Sequence, residues 1–190
     1  MFNSPAPLFG LVLAGGKSSR TGKDKAGICY FGQPQWKHCF NVLLSYCERV
    51  FVSCRKDQVK KLEISVPVIL DGDESFGPAT GLLAAHAAHP SVAFLVFAVD
   101  MPFCGNKELD ALVAHRSPTS YVTCFIDPAT KGIEPLCAIW EPLALSTLAE
   151  NPSRGPRHVL EVRAGTIPAA DIRRLRSINS ANQQCVVQRP

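Results

Sequence analysis

The feature that most constrains this chain is an apolar run that stops abruptly at glycine. Leu8 to Ala14 is almost unbroken in apolar character and is closed by Gly15 and Gly16. A strand of that composition has no face to give to water, so it belongs inside a sheet covered on both sides. Glycines directly after it let the backbone turn tightly and bring N–H groups close to an anion. The residues that follow suit phosphate. Ser18 and Ser19 offer hydroxyl donors, Arg20 can grip two oxygens at once, and Lys25 adds a mobile point charge. The segment is neither G-x-x-x-x-G-K-[ST] nor G-x-G-x-x-G, since Gly16 and Gly22 are too far apart for the first pattern.

Beyond this segment, apolar runs alternate with helical spacing, the pattern of a parallel sheet covered by helices. Strands are expected at Val50–Ser53, Val66–Leu70, Phe94–Val99, Tyr121–Phe125 and Pro135–Trp140, with a last short one at Leu175–Ile178. Helices are expected at Trp36–Cys47, Thr80–Ala88 (capped by Thr80), Lys107–His115 (capped by Asn106), Leu143–Glu150 and Arg157–Arg163. The resulting fold class is a three-layer α/β/α arrangement with a Rossmann-like, mostly parallel sheet, in one domain over residues 1–190. Ligands of such folds bind outside the C-terminal ends of the strands.

Two expected strands run into carboxylates at that edge. Phe94 to Val99 ends at Asp100, followed by Met101 and Pro102. An Asp there is costly to bury unpaired, and a hard cation such as Mg²⁺ takes one or two carboxylates plus phosphate oxygens. Val66 to Leu70 ends at Asp71, which could accept hydrogen bonds from a sugar or base. After it, Gly77, Pro78 and Gly81 lead an apolar helix whose first N–H groups are expected to face the same crevice.

Composition narrows the rest. The 190 residues are 46% apolar and 19% charged, which is globular and not disordered. A net charge of +4 permits an anionic substrate but implies no nucleic-acid surface. The one basic cluster, Arg173, Arg174 and Arg176, reads as a solvated surface. The eight cysteines form no C-x-x-C pair and mostly lie in apolar runs, so reduced thiols of a cytoplasmic protein are expected. Met1 to Pro7 is no signal peptide, and no run approaches the ~20 apolar residues of a membrane helix.

In order and content, these motifs resemble those of the molybdenum cofactor guanylyltransferase (MobA-like) family of nucleotidyltransferases. L-A-G-G-K-S-S-R-T-G-K-D-K-A matches the family's first signature, with Thr21 where Met is usual. V-I-L-D followed by G-P-A-T-G-L-L-A-A, A-V-D-M-P-F, P-L-C-A-I-W-E-P and R-S-I-N-S-A-N match later segments, and the likeness spans roughly residues 8 to 182. The resemblance implies a fold of the nucleotide-diphospho-sugar transferase type. It also implies transfer of a nucleoside monophosphate, GMP from GTP or alternatively CMP from CTP, to molybdopterin with release of pyrophosphate. A non-catalytic nucleotide-binding partner for cofactor insertion is the alternative outside enzymology. Mg²⁺ is the implied cofactor, and a molybdoenzyme or another cofactor-biosynthesis protein the implied partner. The catalytic candidates are Arg20, Lys25 and Asp100. The nucleotide-binding candidates are Leu13, Ala14, Gly15, Gly16, Ser18, Lys25, Ser53, Asp71 and Gly81, and the metal candidates Asp100 and Asn179. Ser53 stands where the family often has Asn. The stretch after Asn179 lacks the family's acidic residues, and Lys131 and Glu134 are the charged residues between Thr130 and Pro135.

Overall fold

The structure, a computed structural model, describes residues 5–15, 24–30, 32–117, 119–169 and Leu175. Seven strands form one sheet: β1 (Leu8–Leu13), β2 (Val50–Cys54), β3 (Val68–Leu70), β4 (Ala93–Ala98), β5 (Val122–Ile126), β6 (Ile133–Trp140) and β7 (Ala164–Pro168). Their order across the sheet is β3-β2-β1-β4-β6-β5-β7. All neighbours are parallel except those of β6, which runs against both β4 and β5. Among the described residues six α-helices cover it: α1 (Gln35–Leu43), α2 (Lys56–Lys61), α3 (Ala79–Ala88), α4 (Asn106–Ala114), α5 (Pro142–Glu150) and α6 (Gly155–Arg163).

The apolar spacing of the sequence explains the two cores. Trp36, Cys39, Phe40 and Leu43 line one stripe of α1 and pack with Leu109 and Leu112 of α4 against Val12, Leu95 and Phe97. On the opposite face, Leu82 and Ala85 of α3, Leu145 and Leu148 of α5, and Val159 and Leu160 of α6 cover Leu11, Phe94 and Val96. Every residue of β4 is buried, as a central strand with helices on both faces requires. Each fully buried Leu or Phe contributes about 1.5–3 kcal/mol.

Several expectations need correction. Thr80 is not the cap of α3. It lies inside the first turn, after Pro78, and its hydroxyl instead accepts the Phe76 N–H at 2.9 Å. Gly105, not Asn106, caps α4, because the Glu108 carboxylate reaches back to the Gly105 N–H at 2.9 Å. Leu175 lies in a 3₁₀ turn and not in a strand, and the rest of the expected strand Leu175–Ile178 lies outside the described residues. The last described strand is β7, whose Gly165 and Pro168 hide it from propensity reading and suit a sheet edge. Helix α2 is almost wholly polar in sequence and was equally unexpected.

The topology sets the position of the site. From β1 the chain steps outward through β2 to β3, then crosses back to place β4 on the other side of β1. The C-terminal ends of β1 and β4 therefore flank a switch point, where a crevice opens in such sheets.

Candidate active site

A crevice of about 550 Å³ lies along that edge, lined by Leu13, Ala14, Gly15, Lys25, Asp71 and Asp100 among others. Six of the residues singled out in the sequence are therefore brought together. Gly16, Ser18, Arg20 and Asn179 lie outside the described residues, as do Arg173, Arg174 and Arg176.

At the β2/β3 end the polar groups satisfy one another. The Ser53 hydroxyl donates to Asp71 Oδ1 at 2.6 Å, and the Asp71 N–H donates to the Cys54 carbonyl at 2.9 Å. Burial raises the Asp71 pKa above the usual carboxylate value, while the Ser53 hydrogen bond and the Arg55 charge oppose the rise. Ser53 itself is only 1% exposed and does not line the crevice. It orients Asp71 and has no hydroxyl proton left for a ligand. Gly81 is also buried behind the crevice wall. A Cβ there would meet the Ser53 hydroxyl and lie 2.7 Å from Leu13 Cδ2, so its role is close packing of α3 on β1 and β2.

Gly15 differs from expectation in a similar way. Its N–H donates to the Ser53 carbonyl at 3.1 Å, beside the Ala14 N–H at 2.9 Å, and so does not point at an anion. Glycine is required because a Cβ would run into the Asp71 carboxylate. The first N–H groups of α3 are not free either. Those of Ala79 and Thr80 donate to the Phe76 and Gly77 carbonyls at 3.3 and 3.1 Å.

The β4 end is different. Lys25, at the start of a short 3₁₀ turn (Lys25–Gly27), places Nζ 3.6 Å from Asp100 Oδ2. Both side chains are about a fifth exposed, at 22% and 21%. The other Asp100 oxygen, Oδ1, is buried with no hydrogen-bond partner among the described residues. A buried carboxylate oxygen without a donor is unfavourable by itself, and a bound cation would satisfy it. The donor set at this position, a hard carboxylate on a residue that lines the shared crevice, fits a hard divalent cation that shares phosphate oxygens.

Four residues here were not singled out as site residues by sequence. Asp24 accepts the Ala26 N–H at 3.2 Å and so caps the turn that carries Lys25. Arg55 and Gln58 sit at the start of α2, just past the end of β2. Glu134 comes from β6. It pairs with Phe125 of β5, beyond a bulge in the β5–β6 ladder, and stands near enough to Asp100 for that carboxylate's charge to act on it. Burial first, then the Asp100 charge, push its pKa up to about 7, against the opposing effects of the Leu136 N–H and Arg157. Only Asp24 had a local signal, being an Asp directly before Lys25. The others depend on strand order and register.

A family profile, the MobA-like NTP transferase domain, matches residues 10–171. The chain belongs to this family. As a MobA-like NTP transferase it is a nucleotidyltransferase. It is 40% identical to a molybdenum cofactor biosynthesis bifunctional protein of Synechocystis sp. over 78% of this chain and 44% of that protein, so it spans under half of that relative's length. It is 29% identical to a probable molybdenum cofactor guanylyltransferase of Rhodopirellula baltica over 93% of this chain and 90% of that protein. The MobA-like fold is seen again in the crystal structure of molybdopterin-guanine dinucleotide biosynthesis protein A from Archaeoglobus fulgidus. That structure aligns with a TM-score of 0.76 and 20% identity over 95% of this chain and 96% of that one. No helix among the described residues is long and apolar enough to cross a membrane.

Proposed function

We propose that this chain transfers GMP from GTP to the terminal phosphate of molybdopterin and releases pyrophosphate, with Mg²⁺ as the metal. The observation that carries the reading is the Lys25–Asp100 pair at the β1/β4 switch point, with one buried Asp100 oxygen that has no hydrogen-bond partner among the described residues. The names of the relatives support the choice of guanine nucleotide and pterin acceptor.

The crevice runs across the strand ends from Asp71, after β3, to Asp100, after β4. Those strands stand three positions apart, roughly 14 Å, a span on the scale of an extended nucleotide. Asp71 would accept from the nucleoside end. Lys25 would sit against the phosphates and stabilise the charge gathering on the departing pyrophosphate. Arg20, by its sequence position, would share that role. Asp100 would hold Mg²⁺, with Asn179 as a further candidate ligand, and the metal would supply neutralisation of the α-phosphate charge. An oxygen of the acceptor phosphate bonds to the α-phosphorus as the bond to the β-phosphate oxygen breaks. The acceptor is already anionic, so no general base is required, and catalysis rests on alignment and charge. One domain over residues 1–190 carries the activity, in the cytoplasm, where the cysteines would stay reduced. The product would pass to a molybdoenzyme or another cofactor-biosynthesis protein.

The test is pyrophosphate release with molybdopterin present, run separately with GTP and CTP. Release with GTP and not CTP is expected. Release with CTP alone would make the protein a cytidylyltransferase, and release with neither would leave only a binding role.

A further inference from the structure

We propose that Gln58 is a positioning residue for nucleotide transfer, because its single side-chain amide ties together the two flanks of the phosphate-binding segment. The inference rests on the reading that Leu13 to Lys25 meets the phosphates of an NTP.

Gln58 is fully buried, at 0% exposure. Its Nε2 donates to the Ala14 carbonyl at 2.9 Å and to Asp24 Oδ2 at 2.8 Å, and its Oε1 accepts the Arg55 N–H at 2.9 Å. Both amide protons are therefore used, and both are used on the same segment. Ala14 is where the chain leaves β1. Asp24 is where it returns, one residue before Lys25. Ten residues apart in sequence, they are held at one buried point. Asp24 passes the constraint on directly, since its other oxygen caps the turn bearing Lys25. The Arg55 guanidinium lies 3.8 Å from Asp24 Oδ2 and adds an ion pair at the same point.

Burial alone does not account for an amide here. A leucine would fill a similar volume without a polar group to satisfy. What an amide adds is two donors, and their targets are Ala14 and Asp24, the second of which caps the turn bearing Lys25. Holding both at one point fixes Lys25 relative to Asp100 and lessens the ordering that phosphate binding has to supply.

The experiment uses the full chain and titrates three probes by calorimetry: GTP, inorganic pyrophosphate and guanosine. In Gln58→Leu, affinity for GTP and pyrophosphate is expected to fall at least about 10-fold, with guanosine binding within about twofold of wild type, KM for GTP raised and kcat less affected. Gln58→Glu serves if the leucine variant folds poorly. It retains an acceptor for Arg55 but opposes Asp24, so it should show the same phosphate-selective loss. Adding Asp24→Asn, which supplies a donor to Glu at position 58, should recover part of it. Equal weakening of all three probes, or a fall in Tm with no change in GTP affinity, would make Gln58 a structural residue and overturn the proposal. A wild-type protein that binds neither GTP nor pyrophosphate would instead overturn the reading of the segment itself.

Discussion

The two ends of the crevice are built on opposite principles. At the β2/β3 end, Asp71 takes the Ser53 hydroxyl, Ser53 gives its carbonyl to the Ala14 and Gly15 N–H groups, and Gln58 closes onto Ala14 and Asp24. The protein satisfies itself there. At the β4/β6 end, Asp100 has one oxygen near Lys25 and one with no partner among the described residues, and Glu134 adds a second carboxyl nearby. A self-satisfied region is rigid before ligand arrives, which suits recognition and placement. A region holding a carboxylate oxygen without a partner gains most when something charged enters it, which suits chemistry. On the proposed function, the contrast would separate holding a nucleotide from reacting it, within one crevice.

The sharpest way to break this contrast is Asp100→Ala. It should lower the rate of pyrophosphate release by on the order of 10³-fold while changing Tm by a few degrees at most, because the side chain is partly exposed and already under-satisfied. Mg²⁺-dependent turnover surviving in that variant would remove the chemical role of this end.

Gly81→Ala probes the other end. The added methyl meets the Ser53 hydroxyl and Leu13, so the serine must turn away from Asp71 or the helix must shift. Destabilisation of about 1–3 kcal/mol in urea unfolding is expected, together with weaker nucleotide binding. A variant as stable as wild type would mean that the packed end yields easily and is not preorganised.

Glu134→Gln gives a subtler reading. The carboxyl titrates near 7 in the folded protein against an ordinary 4.5. Between those values the folded state keeps a proton that the unfolded chain has released. Stability from this group is therefore full below about pH 4.5 and declines as pH rises to about 7. Relative to the Gln variant, wild type should lose about 1–3 kcal/mol across that window and run parallel to it above. Parallel unfolding curves throughout would place Glu134 in water and away from the charge of Asp100.

Much of the scaffold was legible because it depends on local pattern. The apolar run of β4 could only be a strand buried on both faces, and α1 carries its stripe openly in Trp36, Phe40 and Leu43. Helix α2 and strand β7 were missed for the same reason in reverse. Lys-Asp-Gln-Val-Lys-Lys and Ala-Gly-Thr-Ile-Pro have no apolar period to read, and each is held by partners distant in sequence. Within the site, Lys25, Asp71 and Asp100 could be picked out because each stands beside a strand end or in a glycine-rich segment. Ser53 and Gly81 were expected to contact the nucleotide, and both are buried behind the residues that line the crevice, because the sequence could not tell a wall from its backing.

The sequence alone determined that an apolar strand would run into a glycine-rich, cationic segment, and that two other strands would end in carboxylates. Those are local facts of composition and spacing. Only the tertiary structure decided that β4 crosses back beside β1, which brings Asp100 within 3.6 Å of Lys25. It also decided that Gly15 is glycine to clear Asp71, and that Gln58 holds the segment's two flanks. The physical reason is that hydrogen-bond satisfaction and steric clearance are properties of pairs. A chain shows one member of each pair at a time, and the fold supplies the other.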